Sequence, residues 1–136
     1  MGFNPRLHPY SQILGPIADP AADITMNFFR FPAAGKVLAV YATNDANIAT
    51  ATNTLQIVVG SRGTAGTAAV TTIANFAAAT GWTADTPRTG SLTAANQRIT
   101  TAGTWLAYKH VEAGTGGETR MVVQIDYMVG AFEDSA

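Results

Sequence analysis

The chain has 136 residues, a formal net charge of −1 and only 12% charged residues, well below the roughly 25% of an ordinary soluble domain. That length is one domain's worth and can bury a core. The absence of cysteine excludes disulfides and thiolate metal sites. The eight basic residues, spread from Arg6 to Arg120, form no patch for nucleic acid.

Residues 1–23 stand apart. Pro5, Pro9, Pro16 and Pro20 punctuate the segment and rule out a helix or a central strand. It is not a polar tail either, because Phe3, Leu7, Tyr10, Ile13, Leu14 and Ile17 are anchors that a solvated linker does not carry. The expectation is an extended N-terminal arm whose six apolar residues bind a partner. An arm packed on its own domain is the alternative. The start of the chain lacks the basic and apolar regions of a signal peptide, so synthesis in a cytoplasm is expected. No apolar run approaches the roughly 18 residues of a membrane span, and no membrane partner is expected.

Strand patterns begin at Ile24. Ile24, Met26 and Phe28 alternate with Thr25, Asn27 and Phe29, and Pro32–Gly35 reads as a turn. Residues 36–43 are apolar at both parities, as in a strand buried on both faces. Residues 54–60 form the next strand, with Leu55, Ile57 and Val59 on one side. Within 67–76 a strand is expected, although 74–79, rich in Ala, also suits a helical turn. Residues 97–100 read as a short strand.

Two long strands, 103–112 and 120–129, then flank the Gly-rich stretch 113–118, which reads as a hairpin loop. In the first, Trp105, Ala107 and Lys109 oppose Leu106, Tyr108 and His110, and neither set is clearly core. In the second, Met121, Val123, Ile125, Tyr127 and Val129 share a face. That face is expected to be buried with Leu55, Ile57 and Val59. These signals give an all-β fold, an antiparallel β-sandwich of jelly-roll or immunoglobulin type. The division is an arm at 1–23, a sandwich at 24–130 and an acidic tail at 131–136.

Catalytic patterns are not met. Two histidines, His8 and His110, are too few for a cysteine-free zinc site. Glu112 and Asp126 are the strand-borne acids, and Asp126 facing Lys109 or Arg120 as a cross-strand ion pair explains it more simply than glycoside hydrolysis. Asn44–Asn47 lacks the later ligands of a calcium loop. Gly114–Gly117 lacks the Lys-Ser/Thr of a phosphate loop. No serine sits in a nucleophile elbow. Catalytic, metal and cofactor residues are therefore assigned as none, and a non-enzymatic protein is expected. Trp82, Trp105, Tyr41, Tyr108 and Tyr127 leave a sugar-stacking surface open.

Gly103-Thr104-Trp105 opening a strand, the Gly-rich Ala113–Gly117 and the closing Val123–Tyr127 resemble small β-sandwich virion proteins of tailed bacteriophages, the capsid cement or decoration group. The resemblance covers mainly 36–60 and 103–130, and the Cys-free Ala/Thr/Gly composition with an N-terminal arm is similar to that group too. It implies a structural protein of the virion that bridges capsid subunits. The implied partners are the major capsid protein and two further copies of itself in a homotrimer. No residue role carries across. The competing readings are a tail or baseplate β-module, with or without carbohydrate binding, and a small hydrolase.

Overall fold

The computed structural model describes residues 9–18, 24–47, 54–59, 71–76, 83–111 and 120–130. These residues form β1 (Tyr10–Ala18), β2 (Ile24–Arg30), β3 (Gly35–Asn44), β4 (Thr54–Val59), β5 (Thr72–Phe76), β6 (Arg88–Thr89), β7 (Ser91–Leu92), β8 (Arg98–Ile99), β9 (Trp105–Val111) and β10 (Arg120–Val129). A single 3-10 turn, Ala94–Asn96, is the helical element among them. Every strand pair is antiparallel.

The strands make two sheets. Sheet I has the order β1-β10-β3-β6, with β8 also paired to β3, and sheet II the order β2-β9-β4-β5-β7. If the short pieces β6 to β8 are counted as one interrupted strand, sheet I runs first, eighth, third, sixth. Sheet II then runs second, seventh, fourth, fifth, with the β7 piece of the interrupted strand crossing over to pair with β5. This is the wound connectivity of an eight-stranded jelly roll, so the all-β sandwich expected from the sequence is the fold. The connection between β9 and β10 is not a hairpin. The two strands lie in different sheets, because β9 pairs with β2 and β4 while β10 pairs with β1 and β3.

The core follows from period-two alternation. On β10, Met121, Val123 and Ile125 are buried, while Val122, Gln124 and Asp126 are not. Tyr127 and Val129 pack against the core from its rim. Val37, Val40 and Ala42 of β3 join Met121, Val123 and Ile125 from sheet I, and Ile73, Phe76, Leu106 and Tyr108 join from sheet II. On β9 the core face is thus Leu106, Tyr108 and His110. The side chains of β4 lie outside the described residues, so the expected partnership with Leu55, Ile57 and Val59 does too.

Besides a register shift between Ile57 and Val58 where β4 meets β5, three bulges adjust the pattern. On β3, Asp126 opposes Ala39 and Tyr127 opposes Val37, so one extra residue is accommodated. Val37 and Val40 both turn inward as a result, and Lys36, Leu38, Ala39, Tyr41 and Thr43 stay half-buried. The apolar character at both parities of 36–43 reflects this switch of face, not a strand covered on both sides. On β2 the shift falls between Asn27 and Phe29, and Phe28 and Phe29 both reach the core.

The third bulge corrects the expected boundary of the arm. Residues 10–18 are the edge strand of sheet I, paired with β10 from Tyr10↔Tyr127 to Ala18↔Arg120. Pro16 is tolerated because an edge strand needs only one set of ladder bonds. An extra residue between Leu14 and Ile17 keeps both of these packed on the core. Gly15 makes the bulge with φ +119°. The sandwich therefore includes Tyr10–Ala18, while residues 1–8, 19–23 and 131–136 lie outside the described residues.

Candidate functional site

Of the six apolar residues expected to bind a partner, the four that are described divide between solvent and core. Phe3 and Leu7 lie outside the described residues. Leu14 and Ile17 are half-buried against the core. Tyr10 and Ile13 are open, at 49% and 59% exposure, and with Met26 they are the large hydrophobic side chains that face solvent among the described residues. Trp82 also lies outside the described residues, and Trp105 is half-buried.

Tyr10 is anchored at one end of the sandwich. Its ring centroid lies 5.8 Å from that of Tyr127, which in turn lies 4.6 Å from Phe29 and 5.4 Å from Phe31. Phe29 and Phe31 meet edge to face at 5.0 Å. This cluster joins the end of sheet I to β2 of sheet II, and offset aromatic contacts of this kind add to plain burial. Burial, with a smaller contribution from Tyr10, raises the pKa of the Tyr127 phenol above its ordinary value.

The outer face of sheet I is the other candidate surface. Asp126 projects from it and accepts hydrogen bonds from Ser11 Oγ at 2.7 Å and Gln124 Nε2 at 3.0 Å. It thus ties β1 to β10 and is not a partner of Lys109 or Arg120 across a hairpin. Arg120 instead pairs with Asp45, Nε to Oδ2 at 2.9 Å. The loop beyond Asp45 is held by Ala84 N–H donating to Asn47 Oδ1 at 2.7 Å and Asp85 N–H donating to the Asn44 carbonyl at 2.8 Å. This pinning sets Pro87 beside the outer ends of β3 and β10. Tyr41, Ala42, Thr43, Pro87, Val122 and Gln124 there enclose a shallow hollow of about 270 Å³. No carboxylate, histidine or cationic side chain lines it.

Among the described residues no group of three or more His, Asp or Glu side chains could hold a metal ion. His110 is buried in the core with its ring stacked near Tyr108, centroids 6.4 Å apart and planes 15° apart. That placement gives it no access to a substrate. The hollow was not legible in the sequence because its lining comes from β3, β10 and the loop at Pro87, which only the fold brings together.

No protein-family model matches the chain, and no curated protein does. Among solved structures, a chain in the structure of infectious bursal disease virus Gx strain is similar, with 16% identity and a TM-score of 0.35. The match covers 96% of this chain and 41% of that one, so this chain spans less than half the length of its neighbour.

Proposed function

We propose that the chain is a non-enzymatic structural protein of a virion, of the cement or decoration kind, that attaches to the outside of a phage head and bridges the capsid subunits beneath it. The observation that carries this reading is the outer face of sheet I. It combines the half-buried outward residues of β3 with a hollow that offers packing contacts and whose lining has no carboxylate, histidine or cationic side chain. Jelly rolls serve in viral capsid proteins and in lectins and cupins, so the fold supports the reading only as an analogy, and the surface adds support of its own. The sequence resemblance to phage decoration proteins points the same way. The partner of the hollow is then the major capsid protein, and repeated copies on one shell multiply a modest affinity. On this reading the protein is made in the host cytoplasm and ends on the capsid surface.

The test is location. Particles from an infected lysate are banded on a density gradient, probed for this protein and labelled with gold-conjugated antibody. Co-banding with label over the head is expected. Label confined to the tail or baseplate would favour the tail-module reading. Protein that stays at the top of the gradient would overturn both. A half-buried outward residue gives the sharper probe: Val122→Glu should leave the fold intact and weaken attachment.

A further inference from the structure

Among the described residues the two sheets have four edges, and three of them carry devices that keep other strands off. β6, β7 and β8 are two residues long, and β6 and β8 open on Arg88 and Arg98. β2 is bulged between Asn27 and Phe29 and ends on Arg30. Short strands, cations and bulges are the usual means of blunting an edge. β1 is different. From Pro9 to Ala18 it has no charged side chain. Its first half, Tyr10–Leu14, pairs without interruption to β10 on one side, and among the described residues β1 ends sheet I on the other. This stretch carries two of the three large hydrophobic side chains that face solvent among the described residues.

Its bounds are also defined. Pro9 precedes it and the Gly15–Pro16 bulge follows it, and neither proline has an N–H to donate. The run that can accept a new strand is therefore Tyr10–Leu14. We propose that this run is the pairing edge of a two-fold dimer, with β1 of a second copy lying antiparallel to it and Gln12 on the axis. Ser11 of each copy then opposes Ile13 of the other, and Tyr10 opposes Leu14. Exposed Ile13 and Tyr10 each gain a cross-strand neighbour.

The absence of charge favours a second copy as occupant. In an isologous contact a strand meets its own sequence, so a net charge on it would face the same charge. Tyr10–Leu14 has none. Beside it on β10, Asp126 is already engaged by Ser11 and Gln124. A two-fold contact closes at two copies, which departs from the trimer implied by the resemblance to decoration proteins. Five residues a side is small beside the roughly 20–30 of a standard interface, so the free dimer is weak and concentration-dependent. This inference does not depend on where the protein acts.

The chain has no cysteine, so a single introduced thiol reports a single contact. Directly opposed residues have Cα atoms about 4.5–5.5 Å apart, within disulfide range, whereas diagonal ones at about 7–8 Å are not. Under mild oxidation Gln12→Cys should cross-link with itself. Ser11→Cys and Ile13→Cys should cross-link poorly alone and readily when mixed. Light scattering of the unmodified protein should approach two chains in the high micromolar range. Ile13→Lys, at an exposed position that the fold tolerates, should raise the concentration needed by at least about tenfold. The proposal is overturned by a monomer throughout that range or by a trimer. It is equally overturned if Gln12→Cys cross-links no faster than Ala95→Cys on the exposed 3-10 turn.

Discussion

Gly15→Ala is the sharpest test of how the N-terminal strand is held. Gly15 has φ +119°, a conformation that only glycine adopts readily, and forcing another residue there costs roughly 1–3 kcal/mol. A Cβ at this position would lie 2.6 Å from the Met121 carbonyl oxygen and 3.2 Å from Val122 Cα. Both atoms belong to β10, which β3 grips on its far side through pairs such as Met121↔Asn44. They cannot withdraw without breaking that ladder, so overpacking adds about 1–3 kcal/mol. Gly103→Ala supplies the reference. It too has positive φ, +83°, but its Cβ would meet only the guanidinium end of Arg30, at 2.9 Å, on a flexible and exposed side chain. Both variants restrict the unfolded chain alike, so that contribution cancels. Gly15→Ala should therefore be less stable than Gly103→Ala by about 1–3 kcal/mol in urea unfolding followed by circular dichroism. The total loss for Gly15→Ala, about 2–6 kcal/mol, is a large share of a typical domain's stability of about 5–15 kcal/mol. A Gly15→Ala protein as stable as the Gly103→Ala protein would mean that β1 does not dock on β10 in this register. The detached arm expected from the sequence would then be the better description.

Three further outcomes follow from the same geometry. Ile125→Ala, at a fully buried site on β10 between β1 and β3, should cost about 2–5 kcal/mol in the same assay. Arg120→Gln removes an ion pair whose arginine is 68% exposed, and the change in stability should stay below about 1 kcal/mol and shrink with added salt. The raised pKa of Tyr127 means that the unfolded phenol ionises first as pH climbs past its ordinary 10.0. The unfolded state then binds fewer protons than the folded one, and the Tyr127 contribution, intact below that pH, is lost above it. Tyr127→Phe should flatten the alkaline fall in the unfolding midpoint.

How much of this was legible in the sequence depends on how local the signal is. β10 is readable because Met121, Val123 and Ile125 alternate without a break and sit centrally in sheet I. β9 is not, because Leu106, Tyr108 and His110 mix apolar and polar groups as much as Trp105, Ala107 and Lys109 do. Packing decides for the first set, whose two rings bury their flat bodies together. That β9 and β10 belong to different sheets is a long-range fact, and a Gly-rich connection is compatible with a hairpin or a crossover alike. β1 is the instructive case. Its prolines argue against a central strand, and correctly so, since it is an edge. The local clue to its pairing is Leu14-Gly15-Pro16-Ile17, two apolar residues three apart with a glycine between. That spacing puts them on opposite sides of a regular strand and on the same side of a bulged one. The uncharged, apolar composition of this segment points to docking in either description. The fold adds that β10 of the same chain takes one side of the strand. Among the described residues that leaves Tyr10–Leu14 with one free edge, and an edge without charge, bulge or proline inside it has none of the usual protection against a second strand.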